Sequence, residues 1–250
     1  LPLARVRALR EALTAMGVDF RLRTPSIVRP DERKTLDKWL ALELPLLSGH
    51  LGLVGEQGAM GRDVIADYAT NVFNPHTAAF LFQLGASRIV PSVELTLHEL
   101  GQLTAEWSGA PFDVLVYGRP EGMTIEHCVL SAAFEREPTT CRDLCVQKHT
   151  NVTLTDAAGY TFPVATDSAC RNRLLHSRPI DGAEFIAPLW KQGIRGYHLV
   201  FNLPGEPVGE ITRNYRAVLN SAATDTSCDT GATRRLLSGQ FTRGHFIRAV

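Results

Sequence analysis

The sequence predicts an α/β fold: a (β/α)8 TIM-type barrel that lacks its first one or two β/α units and carries a cysteine-rich insertion after a late strand. Three observations point there. Helix-like and strand-like periodicities alternate from one end of the chain to the other, which calls for parallel strands joined by crossover helices. About six strand candidates each run into polar or glycine-rich residues, as barrel strands do, and none is followed by the GxGxxG of a dinucleotide-binding sheet. The chain has 250 residues, a length that such barrels routinely take.

Each element has its own signal. ARVRALREALTAMG carries apolar residues at helical spacing and stops at Gly17, and VDFRLRTPSIV reads as a strand that leads into a polar loop. ERKTLDKWLALE is a second helix. LPLLSGHLGLV is a short apolar run with Gly49 and Gly52 at its end. DVIADYATNVF is the next strand, and NPHTAAFLFQLGA is a helix entered through Asn74 as N-cap and Pro75 in the first turn, and left at Gly85. SRIVPSVEL, the helix TLHELGQLTAEW and the strand FDVLVYGR follow; near the end AEFIAPLWKQGI leads into GYHLVFNL. The small polar stretch NSAATDTSCDTGAT, from Asn220 to Thr233, reads as a flexible linker. Residues 1–221 are thus read as the partial barrel, with a cysteine-rich segment at 120–175, and residues 222–250 as linker and C-terminal motif.

Composition narrows the functional classes. Lysine plus arginine and aspartate plus glutamate balance at 26 each, so no net field draws the chain to nucleic acid or to an anionic membrane, although a local basic patch remains compatible. Apolar runs such as ALELPLL fall far short of the roughly 20 residues that span a bilayer. LPLARVRALREAL has neither the apolar core nor the cleavage site of a signal peptide. A start in mid-helix without methionine suggests a fragment of a longer protein. Five cysteines, an odd number in a chain too large to need disulfide staples, favour a reducing compartment. The expected location is the cytoplasm.

The cysteines themselves carry the chemistry. Cys128, Cys141, Cys145 and Cys170 stand in a C-x12-C-x3-C-x24-C pattern, and Cys228 lies apart. Cys141 and Cys145 are four positions apart, so on a helical turn both thiols face the same way, as two ligands of one centre require. Four convergent thiolates hold either Zn²⁺ or an iron–sulfur cluster, and softness alone does not choose between them. The paired C-x2-C of zinc ribbons is absent, and wide spacing around one close pair leans toward a cluster nested in a larger enzyme. Buried structural cysteines are the ordinary alternative. The polar surroundings, Glu135, Arg136 and Glu137 before the pair and Arg142 and Asp143 within it, are not those of a core.

VYGRPEGMTIEHCVL, then CRDLC, then LTDAAGYTFPVATDSACR resembles the signature region of the bacterial peptidase U32 family, the collagenase-like proteases. DYATNVFNPHTAAFLFQLGASRIVPSVELTLHEL upstream and FTRGHFIRAV at the end are similar to further motifs of that family, in the same order. The resemblance runs from about Gly49 to the C-terminus. It implies a [4Fe–4S] cluster on Cys128, Cys141, Cys145 and Cys170, and oxygen-independent hydroxylation of an RNA base or of an aromatic ubiquinone precursor. Glu94, Arg119 and His127 are then the candidate catalytic groups, and Asn71, Asn74 and Tyr117 the candidate substrate contacts. Their alternatives stand beside them: a structural ion pair for Glu94 and Arg119, a turn cap for Asn71, mere packing for His127. The expected partners are RNA or a small aromatic substrate, a partner subunit of the same family, and a missing N-terminal part of the same chain. Two other functions remain: a U32-type peptidase, although no G-x-S-x-G elbow or zincin helix is present, and a Zn-stapled, non-catalytic partner subunit.

Overall fold

The computed structural model describes residues 3–137, 141, 144–147, 151–167 and 169–248. The chain forms two compact units, one of Leu1–Val114 and Lys191–Gly196, the other of Leu115–Trp190 and Tyr197–Arg248.

The first unit is built by β/α alternation. Helix α1 (Leu3–Ala15) precedes strand β1 (Leu22–Arg23); α2 (Arg33–Leu40), β2 (Leu46–Ser48), α3 (Leu51–Ala59), β3 (Val64–Ala66), α4 (Pro75–Gln83), β4 (Arg88–Ile89) and α5 (Leu97–Thr104) follow. The strands lie in the order β1-β2-β3-β4 and every neighbouring pair is parallel. A parallel bridge from Ile89 to Phe112 extends the same direction to the next strand. Parallel neighbours with helical connections make the chain an α/β protein. Leu46, Val64, Ala66 and Ile89 on the strands and Leu53, Val54, Ala78 and Leu81 on the helices are essentially solvent-free. Phe82, Trp107 and Phe112 close one end of this core with ring centroids 5.4 to 5.7 Å apart.

Local chemistry accounts for the helix ends. Asn74 Oδ1 accepts the Thr77 N–H at 2.9 Å with Pro75 in the first turn. Thr96 and Glu99 form a reciprocal capping box on α5. Helix α3 was not expected, because Gly52, Gly55 and Gly58 lower its propensity. Its glycines permit close packing instead: a Cβ on Gly58 would meet the Leu84 carbonyl oxygen at 2.6 Å and Gly85 Cα at 2.8 Å.

The second unit holds two sheets. Strand β5 (Asp113–Gly118), whose first residues belong to unit one, is central in a sheet ordered β10-β5-β11, with β10 (Ile180–Asp181) antiparallel to it and β11 (Gly196–Leu199) on its other side. Against this sheet pack α8 (Ile186–Lys191) and α9 (Val208–Thr224), through buried Ile186, Leu189, Ile211, Tyr215 and Val218. The other sheet is the insertion: β6 (Glu121–Ile125), then α6 (Val129–Ala133) and α7 (Leu144–Gln147), then β7 (Val152–Thr155), β8 (Thr161–Thr166) and β9 (Asn172–Leu175), ordered β6-β9-β8-β7 and antiparallel throughout.

The C-terminal motif returns to the first of these sheets. Thr242 bridges Ile180 in parallel, and the Phe246 ring stacks on Phe185 at 4.7 Å. The stretch read as a linker is in part helical: Asn220–Thr224 complete α9, which ends on Asp225 in the left-handed region, and Ala232 opens α10 (Ala232–Leu236). Ala222 and Ala223 are strong helix formers, and they carry α9 on through the polar composition.

Candidate functional site

The register of the antiparallel sheet decides where the cysteines go. Ile125, the last residue of β6, lies opposite Asn172, the first of β9, and Thr166, the last of β8, lies opposite the same Asn172. Cys128 follows the end of β6 by three residues and Cys170 precedes β9 by two, so both leave the sheet at this end. Strand β7 enters beside the end of β8, with Val152 opposite Val164, and Cys141 and Cys145 lie on the stretch leading into it. Segments far apart in sequence therefore meet at one sheet end. Cys145 sits in α7, whereas Cys141 precedes that helix, so the close pair does not share one regular helical turn. Arg142 and Asp143 between them lie outside the described residues.

Each described thiol has a defined setting. Cys128 is the N-cap of α6 in extended backbone (φ −77°, ψ 109°) and is 5% exposed. Burial pushes its thiol up, but the polar groups around it, the Ser131 backbone and hydroxyl, the Leu130 backbone and the Asn172 side chain, outweigh it and favour the thiolate. The buried Ser131 hydroxyl reaches no partner at full hydrogen-bond geometry among the described residues, so its effect on the sulfur is one of dipole at longer range. Cys170 occupies the left-handed region at φ 62°. Asp167 holds that loop: its Oδ1 accepts the Ala169 N–H at 2.9 Å and the Arg171 N–H at 3.0 Å, and its carbonyl accepts the Cys170 N–H at 3.2 Å. Burial raises the Cys170 thiol, and the charges of Cys141, Cys128 and Cys145, then of Asp167, raise it further.

Cys170 thus lies within electrostatic reach of Cys128, Cys141 and Cys145. None of the four thiols is in a disulfide. Among the described residues no three His, Cys, Asp or Glu side chains are drawn together tightly enough to enclose a single metal ion. A tetrahedral zinc with Zn–S bonds of ~2.3 Å holds its thiolates only about 3.8 Å apart. A four-iron cluster keeps its thiolates farther from one another, since each binds a different corner of the cube. The donor set, four cysteine thiols on three segments, is of the soft kind that holds zinc or an iron–sulfur cluster.

Charge around the thiols is arranged as well. Arg171, 4% exposed, places Nε 3.1 Å from Glu126 Oε1 and Nη1 3.8 Å from Asp167 Oδ2. Asn172 is wholly buried and was not singled out in the sequence. Its only sequence signal is position, an amide at the first residue of a strand directly after a cysteine loop.

The other candidates fall as follows. In unit two, His127 is exposed beside Cys128. Arg119, just past β5, is half-buried; its Nη1 donates to the His176 carbonyl at 2.7 Å, and burial lowers its guanidinium against the raising influence of Glu206. Tyr117 is 1% exposed, enclosed by Phe201 and Tyr215, and pushed up to about 12 by burial and by Glu206. In unit one, Glu94 is exposed after β4, Asn71 ends a 3-10 turn in the left-handed region at φ 58°, and Asn74 is the α4 cap. Asn71 thus takes the turn-cap geometry named as its alternative. Beside them the ends of β1 to β3 carry a linked polar row: Thr24 Oγ1 donates to Ser48 Oγ at 2.8 Å, the Asp67 N–H to the Ser48 carbonyl at 2.8 Å, and Arg23 Nε to Asp67 Oδ2 at 2.9 Å. Neither Ser48 nor Asp67 was singled out individually in the sequence.

No helix among the described residues is long and apolar enough to cross a membrane. A model of peptidase family U32 matches residues 55–248. No curated protein and no solved structure matches the chain.

Proposed function

The chain belongs to peptidase family U32, and on that premise we propose that it is an iron–sulfur enzyme, with a [4Fe–4S] cluster held by Cys128, Cys141, Cys145 and Cys170. The reaction read for it is oxygen-independent hydroxylation of an RNA base or an aromatic quinone precursor, on the scaffold of a partial (β/α)8 barrel. One observation carries the reading: four cysteine thiols, none in a disulfide, come from three segments to one sheet end. Bound there, the cluster would supply single-electron transfer without molecular oxygen.

The chain's own groups do the rest. The polar groups that favour the Cys128 thiolate prepare it as a ligand, since the thiolate is the form that binds metal. Arg119, half-buried at the end of β5, offers a guanidinium to an anionic or carbonyl group of the substrate. His127, exposed next to Cys128, is placed to carry protons. Tyr117 is enclosed, so we read it as scaffold beneath Arg119.

Anaerobic purification tests the reading. A brown protein with about four iron and about four sulfide per chain is expected. Cys141→Ser and Cys145→Ser should each lose most of it, and Cys228→Ser, at an exposed thiol outside the set, should keep it. A colourless protein with one zinc per chain would overturn the cluster in favour of a staple, and hydrolysis of gelatin that survives Cys141→Ser would favour the peptidase.

A further inference from the structure

Asn172 is 0% exposed, and each side of its carboxamide meets a cysteine-bearing segment. Its Oδ1 accepts the Val129 N–H at 3.0 Å, the first helical residue after Cys128. Its Nδ2 donates to the Cys170 carbonyl at 3.3 Å. The same side chain also favours the Cys128 thiolate. An amide offers two donors and one acceptor oxygen, and here the oxygen and one donor are engaged on the two cysteine-bearing stretches. The backbone supports the placement. Asn172 is paired on one side with Ile125 and on the other with Thr166, so it sits in the middle of the sheet end from which Cys128 and Cys170 depart.

We infer that Asn172 is a positioning residue for the cluster, a clamp that fixes Cys128 and Cys170 relative to each other and donates a hydrogen bond to a ligand sulfur. The inference rests on the cluster reading above. Outer groups of this kind orient ligands, and hydrogen bonds to ligand sulfur raise the reduction potential by stabilising the extra negative charge of the reduced state. Asparagine is the one side chain of this size that provides both functions. Aspartate keeps the acceptor and loses the donors, and leucine loses both at similar volume.

The experiment compares wild type, Asn172→Asp and Asn172→Leu, all reconstituted anaerobically with iron and sulfide. Asn172→Leu is expected to bind iron about 10- to 100-fold more weakly. Asn172→Asp is expected to assemble a cluster whose midpoint potential lies below the wild-type value and whose paramagnetic spectrum is altered, a change that a merely structural residue would not produce. Amide exchange at Val129 in the metal-free proteins supplies a readout independent of iron: faster in Asn172→Leu, near wild type in Asn172→Asp. Variants that match wild type in iron content, potential and spectrum would overturn the role of Asn172 while leaving the cluster in place. A wild-type chain that takes up no iron would overturn the cluster reading itself, and Val129 exchange would still report whether the clamp exists.

Discussion

At the scale of single residues, the sequence announces atoms but not their neighbours. Four cysteines are legible in any chain that has them, because thiols have few other uses in a polar segment. Asn172 was not legible: an asparagine is common, and its meaning comes from partners the fold brings to it, the Val129 N–H and the Cys170 carbonyl. Gly118 shows the same limit in the backbone. It lies at the end of β5 with φ 115°, and a Cβ there would stand 2.1 Å from the Val200 carbonyl oxygen. Gly118→Ala should therefore cost roughly 3 kcal/mol or more, combining a disallowed conformation with a clash against backbone; a lower urea midpoint would register it. Tyr215 makes a different prediction. Its hydroxyl donates to Asp181 Oδ1 at 2.6 Å, and Asp181 is fully buried with Arg234 Nε 2.8 Å away on its other oxygen. Tyr215→Phe leaves that carboxylate short of a donor and should cost about 1–3 kcal/mol, read as a drop in melting temperature.

Elements were legible where their pattern was strong and opaque where packing overrode propensity. The alternation of unit one could be read because apolar spacing, Asn74, Thr96 and Gly85 mark beginnings and ends that the structure uses. Strands β6 and β7 could not, since both their faces are largely open to solvent and no in-out alternation results. Helix α3 was hidden by its glycines, and two of them separate the competing effects. Gly55→Ala meets only Leu84 Cδ2, at an ordinary 3.6 Å, and should stabilise by up to about 1 kcal/mol through helix propensity. Gly58→Ala gains the same propensity yet collides with the backbone of Leu84 and Gly85, and should destabilise; opposite shifts in denaturation midpoint are the check. The same helix is tied to α2 through a two-pronged contact, Arg33 to Glu56 at 2.7 and 2.5 Å. The Arg33 hydrogen bonds hold the Glu56 carboxyl below its ordinary value. A depressed acid stabilises the fold above its unfolded pKa of about 4.3 and loses that contribution as pH falls through the folded value. Both side chains are about a third exposed, so solvent screening limits the pair to a few tenths of a kcal/mol. Glu56→Gln should melt slightly below wild type at neutral pH, with the gap closing as the pH drops below 4.3 or so.

For the molecule as a whole, the two units differ in what holds them. Unit one rests on a parallel sheet with helices and a dry apolar core, and it contains no cysteine. The insertion in unit two is an antiparallel sheet with exposed faces, a modest source of burial energy. Its ends are held by a buried Arg171 with two carboxylates, by Asn172, and in the proposed enzyme by a cluster. Metal binding of this kind is folding energy for the segments that supply the ligands, because it replaces the closure entropy of long loops by four covalent anchors. Stripping iron with a chelator from the anaerobically loaded protein should accordingly raise amide exchange around Cys128 and across the loop between β8 and β9. Leu53, Val54 and Leu81 in unit one should exchange as before. Uniform loss of protection in both units would mean that the cysteine end is part of one cooperative core. No change in either would mean that iron binds without ordering its ligands, and that hydrogen bonds from Asp167 and Asn172 already do the work assigned to the cluster.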